Sequence, residues 1–412
     1  MTFFGTVVVG AGHAGTQLVV SLRQGGYRDG IALVGREPVS PYDRPALSKA
    51  YLRGEVRHAD IVLRSDDYWP AHGVTLMSGR TVVSVDPGAR AVVLDDGRQL
   101  RYEHLVWAAG GSPRVLPVPG GDLDGVLSLR GLADADALRA AAATSRRAVI
   151  VGGGHVGLEV AAAFRGGGID VTVVEVQERL LARVTGPEVS EFYAGLHRRA
   201  GVDIRLGASV VGIAHEGERA RGVVLADGTV LPADVVVVGV GIAPTVEPLA
   251  AAGVSCGDGV DVDTTGRTGA DGVYAIGDCA NRPLPLTGGA RVRLESVPNA
   301  TNDAKQAADA LLGRPPRDPA TPWFWSHQYD VKLQTVGLVQ GYDEAVVRGD
   351  VEAARFSVVY LRDGRIVALD CVNTVRDFSR GKHLVGRGVR TDAATLRAAD
   401  DLKDLLEPVA LR

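Results

Sequence analysis

One glycine-rich turn constrains the fold of this chain more than any other feature of its sequence. The apolar run Thr6–Val9 leads directly into Gly10-Ala-Gly12-His-Ala-Gly15, and a helical pattern follows. In such a turn the first glycine permits the tight bend, the second lets the backbone approach a pyrophosphate, and the third lets the helix pack on the strand. Unpaired N–H groups and the helix dipole favour negative charge there. The pattern therefore predicts a Rossmann-like dinucleotide site.

A second copy of this pattern lies in the middle of the chain. Gly152-Gly-Gly154-His-Val-Gly157 follows the β-rich run Ala148–Val151 and precedes the helical pattern Leu158–Arg165. After each copy come a strand with an acid at its end, a hairpin signal and a closing apolar strand rich in glycine. The closing strands are Leu105–Gly111, which contains Ala109, and Val235–Gly241. Because the whole ordered unit repeats, we predict two bound dinucleotides.

The acid after each second strand is the candidate ribose ligand. Glu37 takes this place in the first half, and Glu175 follows 18 residues after Gly157 in the second. A carboxylate accepts both hydroxyls of an unphosphorylated ribose and repels a 2′-phosphate, so Glu175 predicts NADH as the second dinucleotide. Arg179 and Arg183 lie nearby in sequence and leave a phosphate-binding role open beside that of solvated surface arginines.

Composition limits the classes of protein to which the chain can belong. Its 412 residues suit two or three domains, and its net charge of −4 offers no global basic field for nucleic acid or an anionic membrane. The first strand begins at once and no apolar run is long enough to span a bilayer, so we expect no signal peptide, no membrane span and a cytoplasmic protein. Three widely spaced cysteines predict neither a structural disulfide nor a metal site.

The proline-punctuated loop Pro41–Leu52 enters a short helix next to the first dinucleotide site. An ordinary capped helix start is one interpretation. Beside a dinucleotide, Arg44 and Lys49 become candidate phosphate or flavin contacts. The segment contains no cysteine, whereas flavin enzymes that reduce disulfides or peroxides need a redox-active thiol near the flavin.

A short strand signal after the second half completes the set of motifs. The stretch Thr268–Asp278 ends in Ala275-Ile-Gly277-Asp278 and resembles the second FAD fingerprint of two-dinucleotide flavoproteins, in which the terminal aspartate binds the ribityl chain. This resemblance implies that the first site holds FAD. It also implies that the second dinucleotide domain is inserted within the first.

Taken together, these motifs resemble the FAD-dependent NADH:ferredoxin reductases of bacterial cytochrome P450 and ring-hydroxylating dioxygenase systems, a group that includes putidaredoxin reductase and palustrisredoxin reductase. The similarity covers almost the whole chain. Its most specific pieces are Pro41–Lys49, Gly152–Glu159, Val235–Pro244, Ala275–Asp278, Glu295–Ala300 and Pro322–Gln328. Arg36 departs from the pattern because relatives usually carry aspartate there, and His327 replaces a common aspartate.

The resemblance implies an α/β fold of the glutathione-reductase type, with two Rossmann-like dinucleotide-binding domains and a C-terminal α+β domain. The implied boundaries are 1–115 and 245–320 for the FAD domain, 116–244 for the inserted NAD domain and 321–412 for the C-terminal domain. The implied FAD contacts are Ala14, Lys49, Val82, Arg130, Asp278 and Val297. With the motif residues, the cofactor candidates also include Gly10, Gly12, Gly15, Glu37, Arg44, Ala109, Gly277, Gly152, Gly154, Gly157, Glu159, Glu175 and Gly241.

The C-terminal part shows several β-patterned runs followed by a helical one. The runs Leu333–Val339, Ala345–Arg348, Phe356–Leu361 and Ile366–Val372 predict strands, with a hairpin at Asp363-Gly364 and a closing helix over Ala393–Leu406. Between them, Arg376–Arg390 carries five basic residues and one acid, Asp377. We interpret this basic segment either as a solvated face or as a docking site for an acidic ferredoxin.

These inferences predict an enzyme that takes hydride from NADH and passes single electrons to a two-iron ferredoxin, which supplies a cytochrome P450 or dioxygenase. We expect a monomer or weak homodimer. An ion pair of Lys49 and Glu159 is expected beside the flavin N5, and Trp325 is expected to shield the flavin with Trp323 as its neighbour. The alternatives are an NADH oxidase, peroxidase or disulfide reductase on the same domains, and an NADH-sensing flavoprotein of the apoptosis-inducing factor type.

Overall fold

The structure, a computed structural model, describes residues 2–406, and these divide into two compact units. Unit 1 comprises residues 2–44, 57–112 and 242–320. Unit 2 comprises residues 45–56, 113–241 and 321–406. The chain therefore leaves unit 1 after residue 44 and again after residue 112, and it returns each time. The domain boundaries predicted from sequence stay a prediction.

The secondary structure follows the periodicity of the apolar residues. In chain order the strands are β1 (Thr2–Val9), β2 (Ile31–Gly35), β3 (Val74–Ser78), β4 (Val82–Asp86), β5 (Ala91–Leu94), β6 (Gln99–Trp107), β7 (Gly111–Pro113), β8 (Val126–Ser128), β9 (Arg147–Val151), β10 (Asp170–Val174), β11 (Asp203–Arg205), β12 (Val210–Glu216), β13 (Arg219–Leu225), β14 (Val230–Pro232), β15 (Val235–Val238), β16 (Ile242–Pro244), β17 (Cys256–Gly257), β18 (Gly259–Asp261), β19 (Val273–Ala275), β20 (Ala280–Pro283), β21 (Arg291–Arg293), β22 (Trp323–Gln328), β23 (Val331–Gly337), β24 (Glu344–Asp350), β25 (Arg355–Arg362) and β26 (Arg365–Val372). The α-helices are α1 (His13–Gln24), α2 (Tyr68–Ala71), α3 (Leu132–Ala142), α4 (His155–Gly166), α5 (Pro187–Arg199), α6 (Glu247–Ala251), α7 (Val297–Leu311), α8 (Val375–Arg387) and α9 (Ala393–Ala398). Short 3-10 helices cover Arg44–Ser48, His58–Ile61, Gly277–Cys279, Pro285–Thr287 and Leu402–Leu406.

Unit 1 is built on a seven-stranded sheet with the order β3-β2-β1-β6-β5-β4, and β19 also pairs with β6. Strands β1, β2, β3, β6 and β19 pair in parallel, while β4, β5 and β6 pair in antiparallel, as the hairpin signal of the first half predicts. Helices α1 and α7 cover one face, where Leu18 and Ala304 share a hydrophobic cluster with Val8 of β1. This packing fixes the end of β1, where the first glycine turn begins.

Unit 2 contains a five-stranded parallel sheet, β11-β10-β9-β15-β8, and a three-stranded antiparallel sheet, β12-β13-β14. The C-terminal segment adds a five-stranded antiparallel sheet, β22-β23-β26-β25-β24. The parallel and C-terminal sheets share one hydrophobic cluster, in which Phe192 of α5 lies edge-on to Phe356 of β25 with ring centroids 5.1 Å apart. The division of this unit into an NAD domain (116–244) and a C-terminal domain (321–412) stays a prediction, and residues 407–412 lie outside the described part.

The predicted closing helix over Ala393–Leu406 is wrong. Helix α9 ends at Ala398 because Ala399 is extended, with φ −70° and ψ 122°, and a 3-10 helix follows at Leu402–Leu406. The guanidinium of Arg348 donates to the carbonyls of Leu396 and Ala399, which stabilises this early end. The longer helix of this region is α8, which the sequence analysis treated only as a basic segment.

Within residues 2–406, the helices are all too short or too polar to cross a lipid bilayer. The same residues contain no cluster of histidine, cysteine, aspartate and glutamate side chains suited to a metal ion.

Candidate functional site

The three glycines of the first turn have three distinct environments. Gly10 has φ +112°, and a Cβ built on it would lie 2.1 Å from the carbonyl oxygen of Ala108. A Cβ on Gly15 would lie 2.0 Å from the carbonyl oxygen of Gly10, so helix and strand pack there in direct contact. At Gly12, by contrast, the nearest atom is 4.0 Å away, on Arg44. A side chain at Gly12 would therefore project into open space rather than into the protein.

The second turn repeats this division of roles in unit 2. Gly152 also has φ +112°, and its Cβ would lie 2.4 Å from the carbonyl oxygen of Gly239. A Cβ on Gly157 would lie 2.2 Å from the carbonyl oxygen of Gly152, and one on Gly154 would meet nothing within 4 Å. Two of the three glycines are thus required by the protein's own packing. The middle one leaves open space on one side of the turn, and we call this space at Gly12 and at Gly154 the cradle of each turn.

Both cradles open onto a helix N-terminus. Gly12 caps α1 and Gly154 caps α4, and neither helix start has a side-chain cap or an acidic residue in its first turn. Free N–H groups and the positive end of the helix dipole therefore face the clear side of each turn. This arrangement fits the pyrophosphate of a dinucleotide at each site.

Glu37, the acid predicted for the first ribose, lies in a small polar cluster of unit 1. The hydroxyl of Tyr42 donates to Glu37 Oε2 at 2.6 Å, and the guanidinium of Arg44 pairs with the other carboxylate oxygen. Arg44 also lies 5.2 Å from the ring centroid of Tyr42. Since Arg44 is the nearest neighbour of the open side of Gly12, its charge is placed beside the phosphate cradle. The ribose contact of Glu37 remains a prediction.

The predicted FAD fingerprint of β19 reaches the first glycine turn. Gly277 has φ +75°, and a Cβ built on it would lie 3.1 Å from the Cβ of Ala14. The N–H of Gly277 donates to Asp303 Oδ2 at 3.0 Å, which fixes this approach. Asp278 is the next residue, inside the 3-10 helix Gly277–Cys279. The structure therefore brings Ala14, Gly277 and Asp278 together, although they are far apart in sequence.

Four other residues predicted to contact FAD lie outside the first glycine turn and the FAD fingerprint. The amide nitrogen of Ala109 lies 2.8 Å from a Cβ built on Gly10. Val82 begins β4 and is buried, and Val297 begins α7. Arg130 lies in unit 2, where its N–H donates to Asp134 Oδ2 at 2.9 Å at the start of α3. Their contacts with FAD remain predictions.

Glu175, the acid of the second site, is fixed against the second glycine turn. Its Oε2 accepts from the N–H of Gly153 at 2.7 Å, and its Oε1 accepts from the N–H of Gln177 at 2.8 Å. Arg179 turns away from this carboxylate, since its guanidinium donates to two backbone carbonyls and to Ser190 Oγ. Arg183 lies beside Gly241, with Nη2 3.5 Å from a Cβ built there.

The predicted ion pair is present within unit 2. Lys49 Nζ lies 2.6 Å from Glu159 Oε2, and the two side chains are 14% and 4% exposed. Ser48 also donates to Glu159 Oε2, and Ser326 Oγ donates to Oε1 at 2.6 Å. A carboxylate so deeply buried needs such partners, because an unpaired buried charge is strongly unfavourable. The position of the pair relative to the flavin remains a prediction.

An aromatic cluster lies next to this pair along β22. Trp325 is tilted against Trp323, with ring centroids 5.5 Å apart, so the predicted neighbour relation is confirmed. Phe324 contacts the ring of His155 at 4.5 Å between centroids. Burial lowers the pKa of His155 to about 4, so its imidazole is neutral at physiological pH. No pattern in the sequence indicated a role for His155 or Ser326, and Ser326 is the first of three consecutive polar residues at the end of β22.

The three cysteines of the chain lack the environment of a redox thiol. Cys279 and Cys371 are buried, and burial raises the pKa of the Cys279 thiol to about 12 and that of Cys371 well above its usual range. Cys256 is half-buried, and burial raises its pKa too. Since the thiolate is the reactive form, burial disfavours a redox role for each of the three.

Two sheets built on parallel strands, in each of which a strand is followed by a glycine turn that leaves space for a pyrophosphate, define the fold of a two-dinucleotide oxidoreductase. The family described as "Pyridine nucleotide-disulphide oxidoreductase" matches residues 4–304, and the one described as "Reductase C-terminal" matches residues 323–406.

Relatives narrow this class further. The 5,5'-dehydrodivanillate O-demethylase ferredoxin reductase subunit of Sphingobium sp. (strain NBRC 103272 / SYK-6) is 46% identical over 98% of this chain and 99% of that protein. Putidaredoxin reductase CamA of Pseudomonas putida is 41% identical over 92% and 91% of the two chains. The covalent putidaredoxin reductase–putidaredoxin crystal structure matches with a TM-score of 0.94 at 39% identity, covering 97% of each chain. The chain therefore belongs to the pyridine nucleotide-disulphide oxidoreductase family, in its ferredoxin-reductase branch, and uses FAD and NAD(H).

Proposed function

We propose that this protein takes hydride from NADH and passes single electrons to a two-iron ferredoxin, which in turn supplies a cytochrome P450 or a ring-hydroxylating oxygenase. FAD supplies the required chemistry when bound, since it accepts an electron pair and releases electrons singly. The names of the relatives support a ferredoxin as the partner, because one is a ferredoxin reductase subunit and another is crystallised with putidaredoxin. A cytoplasmic location and a monomer or weak homodimer complete the proposal.

The observation that carries this proposal is the ion pair found where thiol-dependent relatives would need a cysteine. The segment Pro41–Lys49 ends in Lys49, and Lys49 is paired with Glu159. A lysine cannot exchange disulfides or reduce peroxides, but its ammonium stabilises negative charge. We therefore favour electron transfer to an external acceptor over the oxidase, peroxidase and disulfide reductase alternatives.

Lys49 and Glu159 would act as a unit in hydride delivery. We propose that the Lys49 ammonium stabilises charge that develops during hydride transfer and that Glu159 holds this ammonium and meets the nicotinamide carboxamide. The short contact and deep burial support this role, because electrostatic stabilisation is strongest in a preorganised site with little water. Trp325 would shield the flavin rather than relay electrons.

The partner would dock on the exposed side of α8. Arg376 and Arg387 are exposed there, and Lys382 lies 5.6 Å from the ring centroid of Trp323. Arg380 is partly engaged with Asp401 at 3.7 Å, and Arg390 donates to the carbonyl of Asp363. The exposed positive charges of this helix would attract an acidic ferredoxin. They lie next to the aromatic cluster of β22, because Lys382 contacts Trp323.

A second pair of basic residues, Arg291 and Arg293 of β21, is less suitable for docking. Arg291 donates to the backbone carbonyls of Val262 and Asn281, and Arg293 pairs with Asp258 and Glu295. Because these guanidinium groups already form hydrogen bonds and ion pairs within unit 1, we propose α8 as the docking site of the ferredoxin.

The proposal is tested by NADH-dependent reduction of cytochrome c with a panel of two-iron ferredoxins. We expect reduction to depend on the ferredoxin and to saturate with it, while peroxide consumption stays at the background rate. Rapid peroxide reduction without ferredoxin would support the peroxidase alternative. Slow turnover with a long-lived NADH-reduced species would support the sensing alternative.

A further inference from the structure

A continuous chain of hydrogen bonds leads away from Glu159 through the buried part of unit 2. Ser326 Oγ lies 2.6 Å from Glu159 Oε1, and Gln328 Nε2 lies 3.2 Å from Ser326 Oγ. Gln328 Oε1 lies 2.8 Å from His197 Nε2, and His197 Nδ1 lies 3.2 Å from the hydroxyl of Tyr329. Ser326, Gln328 and His197 are at most 1% exposed. Only Tyr329, at the turn after β22, is half-buried.

The charge at one end of this chain fixes the direction of every link. An ionised Glu159 can only accept, so the single hydroxyl proton of Ser326 must point to it. Ser326 Oγ then accepts from the amide of Gln328, whose oxygen faces His197. His197 must therefore carry its proton on Nε2 and accept at Nδ1 from the hydroxyl of Tyr329. Reversing any one link would leave two acceptors or two donors facing each other.

The environment of His197 agrees with this direction. Burial lowers the pKa of His197, which keeps its imidazole neutral, although the hydrogen bond that His197 donates to Gln328 opposes this effect. A neutral ring has one donor and one acceptor, as the chain requires. Aligned hydrogen bonds polarise one another in a low-dielectric interior, so the dipoles of the chain all point their positive ends toward the carboxylate.

We propose that Ser326, Gln328 and His197 are positioning residues that hold the Glu159 carboxylate, and through it the Lys49 ammonium, in one orientation. Oε2 receives Ser48 and Lys49, so Ser326 is the partner that fixes the rotation of the carboxyl group through Oε1. The chain connects this group to α5 and to the turn of β22 and β23, two elements of the shared core. This inference rests on the role proposed above for the Lys49–Glu159 pair.

The first test is a direct observation of the chain in the FAD-loaded protein. Nitrogen-15 NMR of histidine-labelled protein, assigned with His197→Asn, reports the tautomer of His197. We expect a neutral ring protonated at Nε2 at pH 7.5. A ring protonated at Nδ1, or an imidazolium, would contradict the direction of the chain.

The second test compares two serine variants by stopped-flow reduction of the flavin with NADH. In Ser326→Ala, Glu159 loses a hydrogen bond to a charged group, and we expect the limiting rate to fall on the order of tenfold while the NADH concentration for half-saturation changes less than about twofold. Ser326→Thr should recover most of this loss because it keeps the hydroxyl. Gln328→Leu should slow the limiting rate by about threefold, because Ser326 keeps its proton for Glu159 but loses its orienting donor.

Ser357→Ala is the matched control. Ser357 is also fully buried in the C-terminal sheet, and its hydroxyl donates to Asp377 Oδ2 at the same distance of 2.6 Å. It does not belong to the hydrogen-bond chain that starts at Glu159. We expect the wild-type limiting rate for this variant. If Ser326→Ala and Gln328→Leu are as fast as Ser357→Ala, the positioning role is wrong. If Ser326→Ala does not fold, Gln328→Leu decides the question in the same way.

Lys49→Met separates this inference from the function on which it rests. If Lys49→Met itself reduces flavin at the wild-type rate, the proposed role of the ion pair fails. If Lys49→Met is slow and the chain variants are not, only the positioning role fails. If Lys49→Met and the variants of the hydrogen-bond chain are all slow, adding Ser326→Ala to Lys49→Met should slow the reaction by less than about twofold, because the ammonium that Ser326 positions through Glu159 has been removed.

Discussion

Lys49 Nζ lies 2.6 Å from Glu159 Oε2, although 110 positions separate the two residues in the chain. Lys49 directly follows the 3-10 helix Arg44–Ser48, and Glu159 lies on α4, two residues past the last glycine of the second turn. The helix that begins at the second glycine turn therefore also carries one member of the charged pair, which gives the pair a fixed place relative to that turn.

The role of this pair predicts how Lys49→Met behaves. We expect the limiting rate of flavin reduction to fall by roughly a hundredfold, since a charge-assisted contact made mainly in the transition state is lost, while NADH binding weakens by less than about threefold. Stopped-flow reduction over a range of NADH concentrations separates the two effects. Lys305→Met, on α7, is the control for loss of a lysine. A large rise in half-saturating NADH with an unchanged limiting rate would show a binding role instead.

The two cradles predict that single alanines separate the two cofactors. Gly12→Ala should weaken FAD retention by about tenfold or more, and Gly154→Ala should weaken NADH binding similarly while leaving FAD bound, because each added methyl group enters a space that the protein itself leaves clear. Absorbance at the flavin band after gel filtration and NADH titration measure the two effects. Gly166→Ala, where an added Cβ also meets nothing within 4 Å, is the control at the end of α4. Full FAD retention in Gly12→Ala would remove that residue from the FAD site.

Glu175 predicts the choice of coenzyme. A 2′-phosphate beside this carboxylate would meet like charge, and Arg179 is already used by backbone carbonyls. We expect wild-type kcat/KM to favour NADH over NADPH by roughly a hundredfold and Glu175→Ala to remove most of this preference. The exposed Glu178→Ala is the control. Equal use of the two coenzymes by the wild type would refute the assignment.

Asp370 predicts an unusual dependence of stability on pH. Tyr360 donates to its Oδ2 at 2.7 Å, and burial raises the pKa of Asp370 to about 7. Because the folded pKa lies above the unfolded value of 3.8, the protonated carboxyl stabilises the fold fully below about pH 4, and this contribution is lost as the pH rises through about 7.

The variant Asp370→Asn removes this titration. Relative to the wild type, its free energy of unfolding should be higher at pH 8 than at pH 5, and this pH-dependent change should be about 3 kcal/mol. Urea unfolding of the FAD-loaded protein at the two pH values gives the comparison. Asp350→Asn, which changes an exposed carboxylate of β24, should show no such difference. A constant difference between wild type and Asp370→Asn from pH 5 to pH 8 would contradict the prediction.

The charges of α8 predict a salt-dependent encounter with the ferredoxin. The double variant Arg376→Glu/Arg387→Glu should raise the ferredoxin concentration for half-maximal rate by roughly tenfold at low salt, and the difference should vanish near 1 M salt, where the Debye length is about 3 Å. The double variant Arg28→Glu/Arg101→Glu makes the same change in net charge on exposed residues of unit 1. Ferricyanide reduction by NADH should not change. Equal effects of the two double variants would show that only net charge matters.

The sequence predicted those parts of the molecule that depend on local pattern. Gly10 and Gly152 are predictable because one backbone conformation and one close contact demand glycine, and the strands around them alternate with helices at recognisable spacing. The repeat also allowed Glu175 to be predicted from its position after the second strand. The Lys49–Glu159 pair was predicted from the resemblance to a family. Helix α8 was missed because its many charges conceal a narrow apolar face of Phe378, Leu384 and Val385.

The hydrogen-bond chain from Glu159 to His197 could not be predicted from local sequence patterns. His197 and Gln328 are 131 positions apart and meet only because α5 and β22 share a core. Nothing in the residues around His197 distinguishes it from a surface histidine in the last turn of a helix. Such a network follows from tertiary packing, and only a structure shows that each of its members is buried and paired.

The most direct test of the proposed function is the stoichiometry of electron transfer. The FAD-loaded protein, one equivalent of NADH and an excess of oxidised two-iron ferredoxin are mixed without oxygen, and the absorbance of NADH and ferredoxin is followed. We predict that each NADH consumed reduces two ferredoxins, at a rate that falls in Lys49→Met. NADH consumption that reduces no ferredoxin, or that proceeds only when peroxide or a disulfide is added, would contradict the account.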